Sequence, residues 1–146
     1  MNTLRSSLAA ALILVGCVLV HAQTRPVSTT AARAQAADYD VFVPIAKYLS
    51  QGNAEAISAW FADNLEMSVL SKGGNSSRGQ ARQILKTFFD TYTPRSFQIT
   101  YTAGRGGMKY ALGTLNAGGE NFLVTIFVSS KGEAYTIQQL KIERIK

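Results

Sequence analysis

The chain has 146 residues, with 15 Lys and Arg against 9 Asp and Glu, one cysteine and one histidine. That length allows a single domain with a core of its own. A net charge of +6, spread over only 16% charged residues with no dense basic run, excludes a nucleic-acid stripe, and one cysteine excludes a disulfide framework.

Residues 1–22 have the three-part layout of a secretory signal peptide. Arg5 lies in the n-region, Leu8 to Val20 is an apolar run, and Val20-His21-Ala22 precedes an expected cut after Ala22. The run is shorter than the roughly 20 residues that span a bilayer, so no membrane span is expected in the mature form. Leu14-Val15-Gly16-Cys17 also resembles a bacterial lipobox, and this leaves open a lipoprotein anchored at Cys17. Cleavage after Ala22 removes both Cys17 and His21. The mature chain then has no thiol or imidazole for nucleophilic catalysis or for Cys/His metal sites, and no metal or cofactor is expected. The expected location is periplasmic or extracellular. Residues 23–37 are small and polar apart from Val27 and read as a flexible tether, with one domain over 38–146.

Asp40 is positioned to cap a first helix, in which Val41, Ile45, Tyr48 and Leu49 share a face. Gln51-Gly52 ends it. Asn53 caps a second helix, with Glu55 in its first turn and an apolar stripe of Ile57, Trp60 and Phe61. Leu65, Met67 and Val69 alternate as in a half-buried strand, and Ser71 to Ser76 reads as a loop. Ser77 and Gln80 form a capping box for a long helix whose stripe is Ala81, Ile84, Leu85, Phe88, Phe89 and Tyr92. Pro94 stops it. Four alternating segments follow: Phe97 to Tyr101, Met108 to Asn116, Phe122 to Val128, and Tyr135 to Ile142. Glycine-containing turns separate them, and a parity switch at Gln138-Gln139 predicts a β-bulge. Helices first and a strand meander afterwards give an α+β fold, a curved antiparallel sheet wrapped on a long helix and two shorter N-terminal ones.

The order of elements resembles the nuclear transport factor 2-like (cystatin-like) cone. The strings PIAKYLSQGNAEAISAWFADNLEMSVL, QARQILKTFFDTYTPRSFQITYTAG and KYALGTLNAGGENFLVTIFVS resemble the exported bacterial family catalogued as domain of unknown function 4783. The resemblance covers about Val41 to Arg144. It implies the fold and an exported location, and it brings no activity and no site residues. The wider superfamily implies a pocket inside the cone, used by some relatives for isomerase or dehydratase chemistry and by many for binding or dimerisation.

An isomerase-like site needs a carboxylate base and a hydroxyl donor. The acids are Asp38, Asp40, Glu55, Asp63, Glu66, Asp90, Glu120, Glu133 and Glu143. Asp63, at the turn after Trp60, is the best placed, with Tyr48, Tyr101 or Tyr110 as donor; as a helix terminus and as core residues they have a simpler structural explanation. Trp60, Phe61, Phe88, Ile99 and Tyr101 are the candidate lining of an apolar pocket. Arg78 and Arg82, beside the long helix's N-terminus, are candidate anion ligands, without the GK[ST] ending of a P-loop. Leu115, Leu123 and Phe127 share a parity and are expected to face outward as a sheet interface. The reading is an exported binding or interaction module for a small apolar ligand, a partner protein or a second copy paired through its sheet. Two alternatives stand beside it: a small enzyme using a carboxylate and a tyrosine, and a lipid-tethered envelope module.

Mass spectrometry of the protein purified from its own cells tests the leader. A chain starting at Gln23 is the expected result; a lipidated start at Cys17 selects the tethered form, and an intact Met1 overturns export.

Overall fold

A computed structural model describes residues 40–132 and 134–146. The expected leader and tether, with Cys17, His21 and Asp38, lie outside the described residues, as does Glu133.

Helix α1 runs Phe42–Gln51. Asp40 Oδ1 accepts the Phe42 amide at 2.9 Å, satisfying one donor that the first turn leaves unpaired. Val41, Phe42, Ile45 and Leu49 are buried, and Gly52 ends the helix in the left-handed conformation at φ 67°. Helix α2 is short, Ala54–Ser58, and the Asn53 side chain accepts the Ala56 amide at 3.0 Å. The sequence placed Trp60 and Phe61 on this helix. Instead Phe61 opens strand β1 (Phe61–Val69), because the chain there joins a ladder: Phe61 pairs with Ile137, whose amide donates to the Trp60 carbonyl at 2.6 Å. Sheet pairing overrides the helical spacing of the apolar residues.

The expected loop at 71–76 is also a strand. Strand β2 (Lys72–Ser77) pairs antiparallel with β1 from Val69↔Lys72 to Asn64↔Ser77. The two turn residues are Leu70 and Ser71, at φ 53° and 69°, without the Asn-Gly signal that usually marks such a turn. Helix α3 (Arg78–Thr91) follows directly. Ser77 Oγ accepts the Gln80 amide at 3.2 Å, and Gln80 Oε1 accepts the Ser77 amide at 3.1 Å, which completes the capping box.

Strands β3 (Pro94–Arg105), β4 (Met108–Ala117), β5 (Glu120–Lys131) and β6 (Ala134–Arg144) form the meander. The six-stranded order is β2-β1-β6-β5-β4-β3. All neighbours are antiparallel except β1 and β6, which run parallel, so the sheet is mixed where an antiparallel one was expected. Phe127↔Gln139 is followed by Val128↔Ile137, which leaves Gln138 as the bulge that the parity switch predicted. A second bulge lies between Ile99↔Gly113 and Tyr101↔Leu112. It turns Tyr101 to the face opposite Phe97 and Ile99. Such bulges bend the strands and curve the sheet.

One sheet face is the core. Ala111, Leu115, Phe122, Val124, Ile126, Val128, Ile137, Leu140 and Ile142 are fully buried there against Phe42, Ile45, Leu49, Ile57 and Leu85 of the helices. The other face carries Tyr110, Leu112, Leu123 and Phe127, all half-buried. Leu115 does not belong with them. Residues Ala117 and Glu120 pair across a two-glycine turn, so odd positions of β4 share a face with even positions of β5, and Leu115 lies opposite Phe122 in the core.

Phe122→Ala tests this arrangement. The ring is wholly buried, and its removal is expected to cost about 3–5 kcal/mol by urea unfolding. A loss under about 1 kcal/mol would place the core on the other face.

Candidate functional site

The β1–β2 hairpin and α3 enclose an open cavity of about 490 Å³. Its hairpin side is Val69, Leu70, Lys72 and Gly73; its helix side is Gln83, Ile84, Thr87, Phe88, Thr91 and Tyr92. The helical period produces that side directly: residues 84, 88 and 91 follow one another at steps of four and three, so they rise along one face. A second hollow of about 500 Å³ continues along β2 past Asn75, Ser76 and Gln80, and shares Gly73, Gln83 and Ile84 with the first. The backbone closes tightly below: a Cβ on Gly73 would meet the Met67 carbonyl oxygen at 1.9 Å, so only glycine lets β2 lie this close to β1.

Three rings fix the end of the cavity. Phe88 and Phe122 meet edge to face, with centroids 5.1 Å apart and planes at 83°. Tyr92 lies 5.2 Å from Phe88 and 5.1 Å from Phe122. Such pairs contribute about 0.5–1.5 kcal/mol beyond the area they bury. The Arg144 guanidinium stacks over the Tyr92 and Phe122 rings at 5.7 and 5.8 Å. It donates to the Tyr92 hydroxyl at 2.8 Å and to Glu120 Oε2 at 3.1 Å. The Glu120 carboxylate, first by hydrogen bond and then by charge, strengthens the hold of Arg144 on its proton. The Tyr92 hydroxyl thus accepts from Arg144, and Tyr92 also lines the cavity.

The residues that the sequence singled out are scattered. Of the five expected to line a pocket, Phe88 lines this one. Phe61 is wholly buried, and Trp60 and Ile99 pack partly buried against the core. Tyr101 is 52% exposed on the outer face, beside Tyr110 at 5.8 Å ring to ring. The Tyr101 hydroxyl, by hydrogen bonding and then by charge, raises the Tyr110 phenol above its ordinary value. Asp63 is not brought to either tyrosine. Its side chain is 92% exposed and accepts from Arg78 at 3.0 Å. Strands β6 and β5 separate its strand from that of Tyr110, a gap of about 14 Å at the usual strand spacing.

The two arginines proposed for an anion already hold internal partners. Arg78 donates through Nε to the Phe61 carbonyl at 3.1 Å and through Nη2 to Asp63 Oδ1 at 3.0 Å, and Arg82 pairs with Glu55 at 3.3 Å. Leu123 and Phe127 share the outer face, and Leu115 is on the inner one, so the three form no common surface. Sequence reading missed Val69, Leu70, Lys72 and Gly73 as a wall because the hairpin turn lacks its usual residues. Ile84 and Tyr92 were legible, as members of the helix stripe.

Among the described residues no group of three or more His, Cys, Asp or Glu side chains is placed to hold a metal ion, and no helix is long and apolar enough to cross a membrane.

The model of the family described as Domain of unknown function (DUF4783) matches residues 42–143. No curated protein matches the chain. A DUF4783 family protein from Bacteroides uniformis superposes with a TM-score of 0.70 at 20% identity, over 73% of this chain and 99% of that one. A domain of unknown function with a cystatin-like fold from Nostoc punctiforme gives 0.58 at 16%, over 82% and 80%. An NTF-2 like protein of unknown function from Silicibacter pomeroyi gives 0.55 at 14%, over 79% and 94%. At these identities the likeness is one of fold: an α+β, NTF2-like domain with a curved six-stranded sheet.

Proposed function

This chain belongs to the DUF4783 family, and from that premise we propose that it is an exported, non-enzymatic binding module whose site is the cavity between α3 and the β1–β2 hairpin. The observation that carries the reading is the cavity's lining. Val69, Leu70, Ile84, Phe88 and Tyr92 present apolar groups to a space of about 490 Å³, within the roughly 300–1,000 Å³ of small-molecule sites. The layout of residues 1–22 supports export.

The enzyme alternative lacks a base at this place. Among the described residues no carboxylate lines either cavity. Proton abstraction requires a base within hydrogen-bond reach of the substrate, and Asp63 projects into solvent on Arg78. The apolar part of this lining contributes affinity through burial. Each methylene removed from water is worth about 0.8 kcal/mol, so five to seven of them give a Kd of about 0.1–1 mM.

Isothermal titration of the full chain with 1-octanol tests the reading. Saturable binding in that range is expected. Thr87→Trp, at an exposed rim position, fills the cavity from the solvent side. It is expected to weaken octanol binding by at least about tenfold, or 1.4 kcal/mol, with the unfolding midpoint unchanged. Absence of saturable binding to the unaltered protein, or equal binding to the variant, would overturn the assignment.

A further inference from the structure

The charge at the cavity's edge specifies more than an apolar ligand. Of the ten lining residues one is charged, Lys72, and none is acidic. Arg78, Arg82 and Lys86, the cations along α3, each pair with a carboxylate: Asp63, Glu55 and Asp90. Lys72 pairs with none among the described residues. Its position is fixed by the fold, because it faces Val69 across the two-residue turn and begins β2. That turn holds Leu70 and Ser71 at positive φ, a conformation unfavourable for an L-residue and kept only where its surroundings impose it. The Leu70 amide is tied to the Ile142 carbonyl at 2.9 Å, which anchors the turn to β6. The effect is to set a leucine in the cavity wall two residues from a free ammonium.

The remaining polar groups at the rim narrow the choice. Thr91 Oγ1 donates to the Thr87 carbonyl at 3.0 Å, and the Tyr92 hydroxyl accepts from Arg144. The Gln83 side chain enters no hydrogen bond among the described residues, and its amide is a donor in the same lining as Lys72. An apolar slot with an unpaired cation and an amide at its mouth, and no acid in its lining, fits a chain that ends in negative charge.

We propose that the cavity takes a single-chain amphiphile, free in solution, whose apolar tail lies against Leu70, Ile84 and Phe88 and whose carboxylate or phosphate head is held at the rim by Lys72. This rests on the cavity reading above and adds the ligand's charge to it. A cationic amphiphile meets repulsion at the same place, and a neutral one gains only the tail. The ion pair is solvent-exposed, so its contribution is modest and falls with salt.

The test compares octanoate with 1-octanol on the full chain at low salt, with and without Lys72→Met, which retains the apolar stem. The quantity read is the ratio of the octanol Kd to the octanoate Kd. It is expected to fall by about threefold to fivefold in the variant, through a rise in the octanoate Kd. A ratio that does not change overturns the head-group assignment and leaves the cavity reading standing. Failure of both probes to bind the unaltered protein overturns both. A flotation assay with phosphatidylglycerol vesicles supplies the remaining arm: Lys72-dependent retention on vesicles without octanoate binding would assign the lysine to a membrane surface and overturn the proposal.

Discussion

The contact on which this structure depends is the edge-to-face packing of Phe88 on Phe122, closed by Tyr92. It joins the C-terminal half of α3 to the central strand β5. At the other end the helix is held by its Ser77–Gln80 capping box and begins immediately after β2. A helix fixed at both ends lies along the hairpin without closing on it, and the space between them is the cavity. Arg144 and Glu120 extend the same contact outward, tying the end of β6 and the start of β5 to the ring of Tyr92.

Much of the fold was legible in the sequence, for local reasons. Asn53, Ser77 and Gln80 cap helices by bonds to residues three positions away. Gly52 ends its helix through glycine's freedom to turn left-handed, and Pro94 stops α3 through its fixed φ and missing amide. The Gln138 bulge appeared as a change in hydrophobic parity, because one extra residue reverses every side chain after it. Errors arose where pairing between distant segments decides. Phe61 has helical spacing from Ile57, yet it is a strand residue because Ile137 is there to pair with it. Tyr101 reads in phase with Ile99 until the β3 bulge is known. Leu115 and Phe122 have opposite parity in number and the same face in space, because the turn between their strands has two residues.

The site was less legible than the fold for the same reason. Four of its ten lining residues come from the β1–β2 hairpin, whose second strand, β2, is lysine, glycine, asparagine and serine with little hydrophobic alternation to reveal it. Its identity comes from Gly73, which must lie where a Cβ would strike the Met67 carbonyl. The residues most conspicuous in the sequence have structural work instead: Phe61 fills the core, and Asp63 and Glu55 neutralise Arg78 and Arg82. DUF4783 membership and the NTF2-like likeness supply the scaffold, and the lining of one hollow at its edge supplies the functional proposal.

That proposal concerns a place, so a measurement that reports place tests it most directly. Amide chemical shifts of the isotope-labelled full chain, followed while 1-octanol is added, locate the ligand without any substitution. Binding in the cavity predicts saturable shifts concentrated at Val69 to Gly73 and Gln83 to Tyr92, the two segments that line it. Shifts concentrated instead at Tyr101, Tyr110, Leu123 and Phe127 would move the site to the outer face of the sheet and contradict the account.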